Sequence, residues 1–550
     1  MGGDREEILR NISDDLVAGI RDEAARRAIL ALLKIVEIDG ETIQQLKEEN
    51  QRLRDEINRL KGEQGKPNIR PKNKSRDVSS ERERKGKRGK RNRKNKKVKI
   101  DRTEVRKLEK KQLPADAEFK GYAEVTVQDL SMATDNVLFR KETYHSKSEN
   151  KTYTAGVPAG YEGGYGPNIK AMVLMLKNVC NTSESKILDF LQNNKIIISA
   201  GTISNMLIKD KQVFHAEKEQ LYEAGLKASR YQQIDETSAR VNGENWSTQI
   251  LCSPYYTAYF TCAYKNRLTV LEILRTGREN GGRGLKHIFN DEAFQILRQL
   301  RVGKQIVAEL GRFRSQKELC REEMEQLLQE YFSYLTAIAR RCVLEATAIA
   351  SYHQEEDYPV PKILLCDDAN QFKLLTEYLA LCWVHEGRHY KKLSPVVPHN
   401  VRTLERFIKR YWAYYRKLLK YKDRPTQKQA ACLAKAFDRL FSFESGYDAL
   451  DKRIAKTNAK KRNLLLVLKY PELPLHNNAS ELAARQQVRK RDVSLHTITS
   501  EGTQASDTFL SVVETCKKLE VNCYDYFLDR IKGLFAIPPL AKIITAKCTS

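Results

Sequence analysis

Apolar positions recur at changing intervals along the chain, and the interval predicts the element. Near the start, Leu16, Ile20, Ala24, Ile29 and Leu32 fall at roughly helical spacing, with Ser13-Asp14 ahead of them as a cap, so residues 1 to about 38 read as helix. From Ile43 the spacing tightens to alternating threes and fours. Ile43, Asn50 and Ile57 take the a positions of a heptad, and Leu46, Leu53 and Leu60 take d. Isoleucine at a with leucine at d favours a parallel dimer, and one Asn at a fixes register and strand number. A helix packed on its own domain also suits so short a seam.

The period changes to that of strands between Tyr231 and Cys262. Asn242-Gly243 predicts a type I′ turn, which needs positive φ at both central residues. Pro254 ends the second run, because proline cannot donate within a central strand. The result is an antiparallel meander of about 231–241, 244–252 and 255–262, whose first strand carries Asp235-Glu236. Two further strands are predicted: Pro361 to Asp367, a short apolar run ending on carboxylates, and Leu379–His385.

The remaining segments read mostly as helix. Ile169–Asn178 is one. A second follows a capping box at Asn181-Thr-Ser-Glu184, and Ser199 caps a third, Ala200–Ile208. These three suit a helix-turn-helix or a plain helical packing unit. Asp291 to about Tyr352 reads as long helix. From Arg402 to about Leu468 helices rich in Arg, Lys and aromatics return, as a nucleic-acid face or, by the safer reading, a core stripe with a wet basic side. A last helix begins after Pro474, with Asn477 or Asn478 as cap, and carries Glu481, Arg485, Arg489, Lys490 and Arg491. Between Val105 and Pro167 lie strand-like runs, Glu124–Val127 and Val137–Arg140, and a glycine-rich loop, Gly160–Gly166, whose spacing matches no phosphate cradle.

The chain divides accordingly: 1–62 helical and coiled-coil; 63–104 a disordered basic arm; 105–166 a small mixed domain; 167–230 a helix-turn-helix-like unit. A catalytic core follows at 231–399, interrupted by a helical insertion at 400–470 and resumed at 471–535, with a tail at 536–550.

Charge narrows the function. The net charge is +26, and ten of the fifteen residues from Lys85 to Lys99 are Lys or Arg, with none acidic. Like charges at that density hold a chain unfolded and favour phosphates through counterion release, so this arm, with Lys87, Arg88, Arg91 and Arg93, is expected to grip DNA without reading its sequence. No apolar run is long enough to span a membrane and no secretion signal is evident, and 11 scattered cysteines with no C-x-x-C point to reduced thiols in a cytoplasmic protein.

Two strand carboxylates, Asp235 and Asp367, and one helix carboxylate, Glu481, form a set of hard oxygen ligands suited to two Mg²⁺ or Mn²⁺ ions about 3.5–4 Å apart, and no histidine–cysteine set competes. With 71 acidic residues in the chain, that selection is weak on spacing alone.

Longer motifs strengthen it: Tyr231-x-x-x-Asp235-Glu-Thr with the Val241-Asn-Gly-x-x-Trp246 turn, Asp367-Asp-Ala-Asn-Gln-Phe372, Cys382-Trp-Val-His385-x-x-x-His389, and above all His476-Asn-Asn-Ala-Ser-Glu481-x-x-x-Arg485. With these, roughly residues 160–530 resemble bacterial insertion-sequence transposases of the Asp-Asp-Glu type, the insertion-sequence sixty-six family. The resemblance implies an α/β fold with an RNase H-like mixed sheet and a helical insertion, with Asp235, Asp367 and Glu481 as catalytic metal ligands. It also implies cutting of DNA at element ends and joining of the freed 3′-hydroxyl to target DNA. Within that reading His385, Arg388, Arg485 and Arg489 position phosphates, Lys490 and Arg491 add to the DNA-binding set, and the coiled coil pairs protomers at the bacterial nucleoid. The chain departs from the family in having no cysteine-rich zinc module after the coiled coil, and in placing Asp368 where a glycine is common. Asp367 is taken as the ligand rather than its neighbour. A catalytically inactive DNA-binding descendant is the alternative.

Overall fold

A computed structural model describes residues 22–60, 99–106, 108, 119–276 and 284–549. The Ser13-Asp14 cap and the basic arm with Lys87, Arg88, Arg91 and Arg93 lie outside them.

The first described element is one continuous helix, α1 (Glu23–Leu60), running through both spacing regimes. Its cap is Asp22, whose carboxylate accepts from Ala24 N–H at 2.8 Å. Of the heptad side chains Ile43, Leu46, Leu53 and Ile57 are uncovered within the chain: Leu46 is 59% and Leu53 57% exposed. The mid-helix Glu37 is instead buried, at 4%.

Between 119 and 166 the expected strands are absent. Val125 and Val127 stand exposed with no partner strand, and an isolated strand leaves its backbone groups to water. The hairpin here is β1 (Thr143–Ser146) with β2 (Lys151–Thr154). Four helices follow: α2 (Pro167–Asn178), α3 (Glu184–Asn193), α4 (Ala200–Ile208) and α5 (Gln212–Ala228). Ser183 caps α3 through Lys186 N–H, in place of a box based on Asn181, and Ser199 caps α4 through Thr202 N–H.

The central sheet has five strands, β3 (Tyr231–Val241), β4 (Glu244–Cys252), β5 (Thr257–Cys262), β6 (Ile363–Cys366) and β7 (Tyr378–Leu381), in the order β5-β4-β3-β6-β7. The β3–β4 turn has positive φ at Asn242 (48°) and Gly243 (81°), as the Asn-Gly pair predicts. The first three strands run antiparallel, whereas β6 and β7 add in parallel. The architecture is therefore α/β with a mixed sheet.

Between β5 and β6 lie α6 (Arg267–Thr276), α7 (Asp291–Gln299), α8 (Lys304–Leu310), α9 (Arg321–Tyr331) and α10 (Ala337–His353). The single long helix expected from 291 to 352 is thus several. Arg301 at φ 58° and Gly303 break the first part, and separate caps at Cys320 and Thr336 start the later ones.

The strand expected at Leu379–His385 stops at Leu381, and Trp383 opens α11 (Trp383–Lys391). An insertion follows: α12 (Pro398–Asp423), α13 (Gln427–Phe441), α14 (Asp448–Asn458) and α15 (Lys461–Leu464). Its centre is Trp383, fully buried among Tyr411, Tyr414, Phe437 and Phe441. The Trp383 indole N–H donates to Leu464 O at 2.9 Å, and Tyr411 O–H donates to Trp383 O at 2.7 Å. The aromatic stripe is core, and Arg402, Arg406, Lys409 and Arg410 lie on the exposed side. α11 and α12 approach so closely that a Cβ on Gly387 would come within 2.8 Å of the Trp412 ring. Helix α1 docks on this insertion: the Glu37 carboxylate accepts from Val396 N–H (2.6 Å) and Val397 N–H (2.8 Å), capping α12.

The chain closes with α16 (Asn478–Ser494), α17 (Ser500–Leu519), α18 (Cys523–Ile531) and α19 (Leu540–Thr549). Helix α17 lies along the outer strand β5. Asp507, Ser511 and Thr515, each one turn apart, accept from the N–H groups of Thr261, Tyr259 and Thr257, each two residues apart. On α17 these acceptors are about 6 Å apart, close to the two-residue rise of a strand, so the ladder stays in step.

Candidate active site

Register brings the two strand carboxylates together. β3 pairs with β6 in parallel, ending at Gln233↔Leu365, so Asp235 and Asp367 each lie two residues past the last pair and on the same face. Glu481 arrives from α16, which lies against β3 and β4: Tyr259 O–H donates to Ala483 O at 2.9 Å, and Ile250, opposite Asp235, packs with Ala483 and Ala484.

Asn477 fixes that arrival. It is fully buried, and its side chain, rather than capping α16, donates to Ile234 O at 2.8 Å, one residue before Asp235. Its own N–H donates to Cys382 Sγ at 3.3 Å, and its carbonyl accepts from Glu481 N–H at 3.0 Å. One asparagine thus joins β3, the start of α11 and the start of α16. Its importance was not readable from helix-capping rules alone; its place in the longest motif was the available signal.

Electrostatically Asp235 is held among other carboxylates. Burial pushes the Asp235 carboxyl up to about 7 from an ordinary 3.8; Asp367, Glu481 and Glu236 push the same way, against the backbone N–H of Glu236 that donates to it. Glu236 points to the other side of the strand, where Gln371 Nε2 (3.0 Å), Gln249 Nε2 (3.3 Å) and Lys265 Nζ (3.4 Å) hold it. Asp368 is also occupied: its carboxylate meets Lys460 Nζ at 2.7 Å and Lys373 Nζ at 3.2 Å. Asp368 has φ 81°, a conformation glycine adopts freely and aspartate tolerates, which accounts for an aspartate at a position suited to glycine.

Around Glu481 stand residues of α11. Arg388 Nη2 lies 3.3 Å from Glu481 Oε2, and His385 Nε2 lies 3.7 Å from Oε1. Burial holds the His385 imidazole below its ordinary value, against the pull of Glu481. Cys382, His385 and Glu481 each offer a ligand atom, all within 4.8 Å of one another. The expectation that no histidine–cysteine set competes is therefore corrected: the fold brings Cys382 to a cluster that spacing did not reveal.

The basic residues of α16 separate. Arg485 and Arg489, one and two turns after Glu481, are exposed. Arg491 turns back to the sheet and donates to Ser238 Oγ at 2.6 Å. Lys490 departs from the expected DNA-binding set: it is 7% exposed and donates to Asn178 Oδ1 at 2.9 Å. Burial, with Lys177 nearby, pushes it down to about 7, so it ties α16 to α2 inside the protein.

With a mixed sheet, converging carboxylates and a helical insertion ahead of the third, the class suggested is a transposase. The family model described as Transposase IS66 family matches residues 350–505, which span Asp367, α11, the insertion and Glu481. A relative described as "Uncharacterized protein y4jO", from Sinorhizobium fredii (strain NBRC 101917 / NGR234), is 35% identical over 328 residues, covering 59% of this chain and 99% of its own length. The chain belongs to the Transposase IS66 family. Among the described residues no helix is long and apolar enough to cross a membrane, and all 11 cysteines are free thiols.

Proposed function

We propose that the chain is a DDE transposase that cuts DNA at the ends of a mobile element and joins the freed 3′-hydroxyl ends to target DNA. The observation that carries this is the alignment of Asp235 and Asp367 by the parallel β3–β6 pair, with Asn477 tying Glu481 to the same strand. In this reading the sheet is an RNase H-like core, consistent with its order, three antiparallel strands followed by two parallel ones.

The donor set fits divalent metal ions. Three carboxylates offer hard oxygens, and a carboxyl held up to about 7 beside two others is a place where added positive charge lowers the energy. Asp235, Asp367 and Glu481 would hold two Mg²⁺ or Mn²⁺, which supply activation of the attacking oxygen and neutralisation of the leaving one. Asp235 gives up its proton to take part. Arg388 steadies Glu481, and His385, Arg485 and Arg489 orient the phosphates. Helices α2 to α4, as a helix-turn-helix, and the basic arm hold the element ends. The uncovered seam of α1, with Asn50 at one a position, pairs two protomers, so that two ends are cut and joined together.

The test is strand transfer by the purified full-length protein on end DNA with Mg²⁺. Joined product from the wild type and none from Asp235→Ala supports the reading. Specific DNA binding with no cleavage under any divalent ion would mean an inactive DNA-binding descendant, and cleavage without joining would mean a nuclease.

A further inference from the structure

The Cys382–His385–Glu481 cluster has a composition unlike that of the carboxylate site it adjoins. Cys382 caps α11 and His385 follows three residues later, so thiol and imidazole share one face of the first turn. Glu481 comes to them from α16. Two buried atoms here make no hydrogen bond: Nδ1 of His385 and Oε1 of Glu481. Buried polar atoms without partners are uncommon, and a missing ion is one reason for them. Cys382 Sγ, by contrast, already accepts the Asn477 N–H at 3.3 Å, an outer contact of the kind that orients a metal-bound thiolate.

From this geometry we infer that Cys382, His385 and Glu481 form a site for a thiophilic divalent ion of the zinc class, separate in chemistry from the Mg²⁺ site and sharing Glu481 with it. Sulfur, nitrogen and one carboxylate oxygen are the donors zinc takes, with water as a fourth ligand. Tetrahedral zinc sets such ligands about 3.3–3.6 Å apart, so closing from within 4.8 Å needs only side-chain adjustment. Binding deprotonates the thiol and releases that proton to water; nothing is oxidised or reduced. Because Glu481 belongs to both sets, zinc and Mg²⁺ occupancy exclude one another, and zinc acts as an inhibitor. The inhibition rests on the transposase reading; the binding does not.

The experiment is titration of the metal-free full-length protein with Co²⁺, an optical substitute for zinc. The wild type is expected to give a near-ultraviolet thiolate-to-cobalt charge-transfer band saturating near one equivalent, displaced by Zn²⁺. Cys382→Ser should lose the band, and His385→Ala and Glu481→Gln should each weaken Zn²⁺ binding at least tenfold. Circular dichroism checks that the variants fold. If Cys382→Ser does not, the partly exposed His385→Ala still decides the matter by Zn²⁺ affinity. No band in the wild type, or a band and affinity unchanged in the folded variants, overturns the site. In strand transfer, Zn²⁺ added over Mg²⁺ should inhibit the wild type in a way that excess Mg²⁺ reverses. Zinc binding without inhibition would uphold the site and overturn its overlap with the Mg²⁺ site.

Discussion

Two acidic clusters lie side by side at the end of β6, and they are built on opposite terms. One is Asp368 with the buried Glu386, and the chain supplies its cations. Lys460 bridges both, Lys373 adds to Asp368, and Arg453 and the Thr457 hydroxyl close on Glu386. Burial alone would raise the Glu386 carboxyl, but Thr457, Arg453 and Lys460 outweigh it and hold it below the ordinary range. The other is Asp235, Asp367 and Glu481, where Asp235 sits up at about 7. A carboxylate cluster can be a strut or a socket, and what separates them is how much of the counter-charge the chain itself brings: at the second cluster Arg388 meets Glu481, while Asp235 stays raised.

The sharpest way to break that contrast is to remove one member of each. Asp235→Ala is expected to lower Mg²⁺-dependent strand transfer by at least roughly 10³-fold while the protein stays folded, as judged by gel assay and circular dichroism. An activity loss under tenfold would remove Asp235 from the chemistry. Glu386→Ala should act the other way, through stability. It takes the carboxylate from the part-buried Arg453 and leaves Lys460 to Asp368, at a cost of about 3 kcal/mol in urea unfolding.

Acidity should move the two clusters in opposite directions. Asp235 has a folded value above its unfolded one, so the native state holds that proton more tightly. Its contribution to stability is present at low pH and fades as pH rises from about 3.8 through about 7. Glu386 is lowered, so its contribution is present above the unfolded value and is lost as pH falls through the folded one. In EDTA, Asp235→Asn should therefore stabilise the protein at pH 8 by roughly 1–3 kcal/mol and at pH 5 by only about a third of that, and Mg²⁺ should shrink the gain. Equal melting of variant and wild type across that range would contradict an uncompensated Asp235. The smallest effect belongs to Asp368→Gly, which gives up two lysine contacts but relieves a positive φ, for a net change within about 1 kcal/mol and strand transfer within a few-fold of wild type.

What could be read from the residues divides along the range of the interactions. Asn242-Gly243 dictates its turn locally, and the meander around it appears with β5 starting at Thr257, two residues later than expected. The run Leu-Ala-Leu-Cys-Trp-Val-His is apolar up to its final residue, so its period cannot mark where strand becomes helix. The break after Leu381 comes from Trp383, drawn into the insertion by its indole and carbonyl bonds. Lys490 illustrates the same limit. A lysine in a basic run reads as a surface charge, and only the fold shows Asn178 waiting for it. The carboxylates of the candidate site could be named because they stand in long motifs. The Cys382 thiol also stood in a motif, beside His385, but its meeting with Glu481 was not legible, since Asn477 and α11 make that contact across 95 residues.

The ladder of Asp507, Ser511 and Thr515 along β5 has a consequence for how copies of this protein meet. The amide hydrogens that a foreign strand would need at that border are already engaged by a helix of the same chain. At the opposite border the Leu379 carbonyl is likewise engaged, by the Asn463 amide. Neighbouring molecules therefore cannot extend this sheet by adding strands at those positions.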